Sequence, residues 1–551
     1  MAKKNRYKRL YPAILVASLL LAGCGGGSSS SSTTSPPPPA SLSPPGAPLV
    51  RVSGPSPYPA SCGGGMAGSV NYENAEVEPY VAVNPTNPSN LIGIWQQDRW
   101  SDGGAHGLVI GRSLDDGKTW NEQTIPFSIC GGGDSTNGGG YARASDPWVT
   151  FSPSGVAYVI SISFSGNIMA PGSLSSVLVS SSTDGGATWS NPVTLILDGA
   201  NAFNDKETIT ADPNNANYVY AVWDRLDSSG YGPAYFARTA NGGQTWQAAA
   251  PIYDPGFNNQ TIGNEIVGLS DGSIVDVFEE IDGTSSSSTT GVIKVIHSTD
   301  QGATWSAPVS VAQDLSVGTR DPNTGAPVRD GGFLPQAAAG PGGELVVVWQ
   351  DGRFSNGQHD GIALSRSMDY GQTWSTPVEI NSVPSVPAFT PSVAVLADGT
   401  IGVSYFDFRN NTSNPDQLIT DYWFTSSTDG VHWSEQHISG PFDLDLAPNA
   451  GGLFLGDYQS LAVIGQAFVP FFVQTNNQGT ANRTDDYVLP PQPVPLALTR
   501  RITNVAVAAP TEVNLNATFR RRVHEHIVQF LRAEIPGWER FQAQRQQTSP
   551  P

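Results

Sequence analysis

The chain has 551 residues, 60 of them Gly and 44 Pro, and only 14% are charged. That composition describes a loop-rich protein able to bury a large core, and it excludes a single small domain. A formal net charge of −20 repels phosphate backbones and anionic lipid heads, which sets nucleic acid aside as a partner.

Lys3, Lys4, Arg6, Lys8 and Arg9 give the chain a basic start, and the apolar run from Leu10 to Leu21 is too short to span a bilayer. This is the pattern of an export signal. It ends in "LAGC", which resembles the bacterial lipoprotein signal. The resemblance implies that residues 1–23 are removed, that Cys24 is lipidated, and that the protein sits at the bacterial cell envelope, held to a membrane through lipid only. An ordinary cleaved secretion signal is the other reading. Residues 24–47, "GGGSSSSSTTSPPPPASLSPPGAP" after Cys24, form a flexible and then stiff tether. With Cys24 set aside, Cys62 and Cys130 remain, each followed by "GGG" and so in a loop. A disulfide between them and a pair of free loop thiols both stay open.

Residues 48–505 repeat one turn six times: "RSLDDGKTW", "SSTDGGATWS", "RTANGGQTW", "HSTDQGATWS", "RSMDYGQTWS" and "SSTDGVHWS". The Trp of each copy falls at 120, 189, 246, 305, 374 and 433, a period of 57 to 69 residues, the size of one four-stranded sheet with its loops. Within a copy the Asp (Asn241 in the third) accepts backbone hydrogen bonds, and the following Gly supplies positive φ. A pair of strand patterns precedes each box, from "PYVAVNPTNPSNLIGIW" to "PSVAVLADGTIGVSYFD". A further pair, "DYQSLAVIGQAFVPFFVQ", follows without a box. The fold class is therefore all-β, a β-propeller of four-stranded blades. The count is seven blades, or six if the last pair completes a split blade.

Boxes of the form S-x-D-x-G-x-T-W at this period resemble the Asp-box (BNR) repeats of the sialidase superfamily, over roughly residues 70 to 480. If the boxes join the third and fourth strands, the opposite face carries the site. There, "RWSDGGAHGL" is similar to the sialidase pattern of an Arg followed by S-D-x-G, which implies Asp102 as general acid/base and Arg99 as a sugar-contacting cation. "GLFLGDYQSLA" resembles the segment that presents a nucleophilic Tyr, here Tyr458, and the family's activating Glu would be Glu265 in "NEIVGLSDGSI". A solvated loop Asp and an axial packing Tyr are the alternatives for Asp102 and Tyr458. The family holds its substrate's carboxylate with three arginines, and this chain departs from that pattern at "EVEPYVAV" and "DVFEE". Arg143, Arg320 and Arg329 are the candidates to substitute for them.

Glu78, Asp146, Glu207, Glu265, Asp330 and Asp457 all fall near the starts of inner strands. A ring of oxygens would suit Ca²⁺ or a neutral sugar, with solvated loop caps as the plainer reading; no cofactor is required. Asp98, Asp224, Asp351 and Asp407, close to Arg99, Arg225, Arg353 and Arg409, read as structural loop pairs. Residues 506–551 form a helical tail outside the propeller: Phe519, Val523, Ile527, Phe530 and Leu531 keep helical spacing, ended by Pro536. The tail is expected to dock on the propeller or on an anionic surface. His524 and His526, two apart, share no helical face and make a poor metal site. Two functions follow: a monomeric surface glycoside hydrolase acting on exposed glycans, or a non-catalytic glycan- or protein-binding propeller.

Overall fold

The computed structural model describes residues 48–59, 61–283, 289–476, 483–491, 502–508, 513 and 515–534. The basic start, Cys24, the tether and Pro536 lie outside them. The described chain is mostly β-strand, with one α-helix among the described residues.

The second strands show why these segments are strands. Leu91–Trp100, Val219–Asp227 and Leu345–Asp351 each open on five aliphatic or aromatic residues or Gly, LIGIW, VYAVW and LVVVW, and are buried almost throughout. Trp95, Trp223 and Trp349 are no more than 1% exposed. A strand covered on both faces reads as a continuous apolar run rather than an alternation.

The strands pair as successive antiparallel meanders. The first comprises Asn71–Val83, Leu91–Trp100, Ala105–Ser113 and Asn121–Thr124. The second runs from Arg143–Phe151 to Val193–Asp198, the third from Ala202–Ala211 to Ala250–Tyr253, and the fourth from Gln260–Gly268 to Val309–Asp314. The next two begin at Gln336–Ala339 and Ala388–Val395. The pair without a box, Ser460–Ile464 and Ala467–Thr475, continues into Thr484–Val488 and then into the N-terminal strand Val50–Arg51, where Val50 pairs with Val488 and Arg51 with Tyr487. The first described strand thus completes a sheet whose other strands come more than 400 residues later. First strands touch in chain order, and Ser460–Ile464 touches both Ala388–Val395 and Asn71–Val83, so the row returns to its start.

The repeated turns join third to fourth strands and share one hydrogen-bond scheme. In the second copy Asp184 Oδ1 accepts from Thr188 N at 2.9 Å and Oδ2 accepts from Thr188 Oγ1 at 2.6 Å, while Ser182 Oγ donates to Oδ1 at 2.8 Å. Asp115, Asp300 and Asp369 repeat it. Asn241 donates to Thr245 Oγ1 at 2.8 Å in the third copy, and His432 stands 2.8 Å from Asp429 in the last. Apart from the fully buried Trp433, the box indoles are half-buried. Their inner edges pack on the preceding meander, as Trp305 does on Phe236.

The C-terminal stretch is laced to the rim rather than hanging outside it. Ile502–Val505 adds a strand to His432–Asp443, and Val507–Ala508 adds one to Val378–Glu379. The helix Ala517–Glu534 follows, begun by Asn516, whose side chain accepts from Phe519 N at 3.0 Å. Its apolar stripe of Phe519, Val523, Ile527, Phe530 and Leu531 is buried against Leu315, Val317, Phe333 and Leu334, on the end of the meanders opposite the repeated turns. Of the two expected docking modes, the helix takes the one on the body of the protein. Cys62 and Cys130 are disulfide-bonded, with Cα atoms 5.8 Å apart.

Candidate functional site

Five first strands carry a bulge at matching places, between Val77 and Tyr80, Ser145 and Trp148, Asp205 and Thr208, Ile262 and Glu265, and Phe389 and Ser392. Each contains a residue with positive φ: Glu78 (54°), Asp146 (52°), Lys206 (48°), Gly263 (66°) and Thr390 (49°). Such a conformation is costly for a residue with a Cβ. A bulge re-aims side chains, so the repeated device turns Glu78, Asp146 and Lys206 toward one another.

The result is a buried ion network. Lys206 Nζ lies 2.7 Å from Asp457 Oδ2, 2.9 Å from Asp146 Oδ2 and 3.6 Å from Glu78 Oε1. Asp457 also takes the Arg329 guanidinium as a fork, Nε to Oδ1 at 2.9 Å and Nη2 to Oδ2 at 2.5 Å. Gly331 permits this approach, because a side chain there would strike the carbonyl of Asp457. Burial alone would raise the Asp457 carboxyl, but Arg329 and Lys206 hold it well below the usual range. Glu78 goes the other way: burial first, then the charge of Asp146, push it well up.

Three of the six carboxylates expected to ring the axis, Glu78, Asp146 and Asp457, therefore surround an ammonium that belongs to the chain. Among the described residues no group of three or more His, Cys, Asp or Glu is arranged to hold a metal ion. Asp330 stands apart, accepting from Thr319 N and Gln350 Nε2 and lying 3.6 Å from His526.

Beside the network lies a cavity of about 20 Å³ lined by Trp148, Glu207, Glu265, Leu334 and Tyr458, room for about one water. Tyr458 and Glu265 are thus brought to one place. Tyr458 packs edge-on to Trp148 at 5.2 Å, Trp148 stacks on Tyr80 at 3.5 Å, and the Tyr458 hydroxyl donates to Pro147 O at 3.0 Å. Burial, then Glu78 and Asp146, raise the Tyr458 phenol well above its ordinary value. Glu265 accepts from Ala337 N at 3.0 Å, and burial pushes it up to about 8. The charge of Glu207 also acts on Tyr458, and that of Glu265 on Tyr80. Glu207 accepts from Ile162 N, and its Oε2 has no hydrogen-bond partner among the described residues.

The other expected site residues lie elsewhere. Asp102 is not part of the cavity wall: it accepts from Arg143 Nη1 at 2.9 Å and from Ser69 Oγ at 2.6 Å. Arg143 is consumed by that pair, by the carbonyls of Gly64 and Gly103, and by stacking on Trp100 at 5.1 Å. Arg99 is 2% exposed, donates to Gln96 at 2.7 Å and shares the Phe454 ring with Arg329. Arg320 is exposed beside the C-terminal helix, bonded to Gln529 at 3.0 Å. The arginines expected to stand in for a carboxylate clamp therefore do not converge.

Two of the four Asp–Arg loop pairs form, Asp351 with Arg353 and Asp407 with Arg409, each at 2.6 Å. Arg225 pairs instead with Asp198, and Asp98 with Ser56, Asn74 and His106. Lys206 is neither an acid nor an arginine, the residue types that the sequence pattern marks around the axis. Its signal was positional: in "NDKET" it occupies the place that Glu78 and Asp146 hold before Pro in "EVEPY" and "ASDPW".

No family model matches the chain. Over 330 residues it is 25% identical to a sialidase of Micromonospora viridifaciens, a match covering 55% of this chain and 45% of that protein; the chain thus aligns with less than half of that relative. Among solved structures it is similar to an α-L-arabinanase of Penicillium chrysogenum complexed with arabinobiose, at a TM-score of 0.43 and 15% identity, over 80% of this chain and 97% of the other. It is also similar to a sialidase of Trypanosoma rangeli in complex with 2,3-difluorosialic acid, at a TM-score of 0.38 and 15% identity over 67% and 55% of the two chains.

Proposed function

We propose that the protein is an exported, lipid-anchored, seven-bladed propeller of sialidase-like kind, and that it hydrolyses exposed glycans other than sialosides at the bulged ends of its inner strands. The observation that carries this reading is the gathering of Tyr458, Glu207 and Glu265 around one axial cavity. Tyr458 Oη is the nucleophile for the anomeric carbon and releases its proton to a neighbouring carboxylate. Glu207, with an open oxygen, serves that role better than Glu265. Asp102, the general acid that the family resemblance suggests, would have to leave Arg143 to protonate the leaving group. Glu207 and Glu265 outnumber Lys206 in the cavity lining, which supports a neutral glycoside, rather than an anionic one, approaching Tyr458 from outside the one-water cavity. The seven-blade count draws on the row of first strands and on Val50–Arg51 completing the last sheet.

The engagement of Asp102 by Arg143, together with the one-water size of the cavity, favours a second reading, a non-catalytic glycan-binding propeller at the cell envelope. Fluorogenic arabinofuranosides, hexosides and a sialoside, offered to the detergent-solubilised full-length protein, separate the two. Turnover of a neutral glycoside abolished in Tyr458→Phe is the expected result. No turnover on any of them selects the binding propeller, and turnover of the sialoside alone refutes the substrate assignment.

A further inference from the structure

Space for a saccharide exists on the same end of the meanders, away from the axis. Two adjoining clefts of about 450 and 490 Å³ open where the C-terminal helix meets the loop around residues 317–325, within the range of roughly 300–1,000 Å³ typical of ligand sites. Arg320 and Glu525 wall both clefts. The first adds Arg532, His524 and Gln529, and the second adds Arg522 and Asp321, whose carboxylate is taken by Asn323 N and Thr324 Oγ1.

On a chain of net charge −20, three guanidinium groups along one groove run against the general field. Arg320 is positioned by neutral acceptors, Gly325 O at 3.3 Å and Gln529 Oε1 at 3.0 Å, and forms no ion pair among the described residues. Its charge stays available to a ligand. Glu525 is drawn aside toward Arg521, 3.6 Å away along the helix, and Arg522 is fixed by Gly357 O at 2.5 Å. A guanidinium presents a planar fork of donors that matches a carboxylate, and such pairs are stronger than neutral hydrogen bonds.

We propose that this groove binds an anionic oligosaccharide, seating a uronic acid carboxylate on Arg320 with Arg532 at its side and taking ring hydroxyls on Gln529 and His524. The inference rests on the reading of this end of the molecule as glycan-facing, and it names the glycan class. The helix, which the propeller repeats do not require, is the element that builds the groove.

The test is calorimetric titration of the detergent-solubilised full-length protein with trigalacturonate and, separately, with neutral maltotriose. Trigalacturonate is expected to bind and maltotriose not. Arg320→Ala/Arg532→Ala should weaken trigalacturonate at least about tenfold, the scale of one lost charge-assisted contact. Lys118→Ala, on an exposed turn at the other end, should leave it unchanged. Raising NaCl from about 0.05 to 0.5 M should weaken binding in the native chain more than in the double variant, because the Debye length shrinks about threefold. Equal binding of both trisaccharides, undiminished binding by a double variant of unchanged helicity and melting temperature, or no binding at millimolar ligand would each overturn the proposal. Because binding is read without turnover, a failure of the hydrolytic reading leaves this result interpretable.

Discussion

Replacing Lys206 by Met should destabilise the protein by about 3–5 kcal/mol at pH 7, the usual scale for stripping one partner from a buried ionic cluster. The side chain keeps its length and loses its charge, while the three carboxylates remain within 3.6 Å of where Nζ stood. Asp457 retains Arg329, and Glu78 retains a hydrogen bond from Gln96, so the penalty falls mainly on Asp146 and on the repulsion between Asp146 and Glu78. Urea unfolding followed by tryptophan fluorescence would read it. The sign with pH follows from Glu78, whose carboxyl is already raised by burial and by Asp146, with Lys206 pulling it back down. Without the lysine the folded state holds that proton more tightly than the unfolded chain does. The deficit is therefore full only above the elevated folded value and shrinks as pH falls through it. Lys206→Met/Asp146→Asn should recover part of the loss. A single variant within 1 kcal/mol of native at pH 7 would refute the view that the lysine neutralises the axis.

Glu265→Gln keeps the acceptor for Ala337 N and removes a carboxyl pushed up to about 8 by burial. Its raised value makes the native chain lose stability as pH rises from about 4 toward 8, so the variant should gain on the native protein by up to about 1.4 kcal/mol per pH unit in that window and by nothing below it, measured by urea midpoints across pH. Cys62→Ser should cost about 4 kcal/mol in the chain-entropy account of its 68-residue separation. Thermal unfolding that does not respond to reductant in the native protein would contradict that. Ile527→Ala, at a fully buried helix position, should cost about 2–5 kcal/mol of helix docking; hydrogen exchange should rise in residues 517–534 and not in the meanders.

Much of the architecture was legible because the turn chemistry is local: Ser, Asp, Gly and Thr at fixed offsets satisfy one another within seven residues, as at Ser182–Thr188. Strand pairs were legible for the same reason. The joining of Val50–Arg51 to Thr484–Val488 was not, since nothing in a two-residue strand announces a partner more than 400 residues away. At the site, residue types were easier to foresee than directions. Tyr458, Glu207 and Glu265 do meet, whereas Asp102 and Arg143 found each other instead of the axis, a choice set by the loop around Gly64 that accepts from Arg143. The bulges that gather Glu78, Asp146 and Lys206 depend on positive φ at residues that seldom adopt it, so propensity pointed away from them.

The two-residue strand at the start of the described chain also has a mechanical meaning. Any pull applied N-terminal to Val50 reaches the body first through the pairing of Val50 and Arg51 with Val488 and Tyr487, and through the bond from Val52 N to Asp486 O at 2.8 Å. These few bonds would peel in turn. Past the bonds of Ser56 to Asp98 and Tyr58 to Leu108, the unravelling would meet the covalent stop at Cys62, tied to Cys130, so a pull would free about a dozen residues, or roughly 40 Å at full extension, while the first meander stays shut.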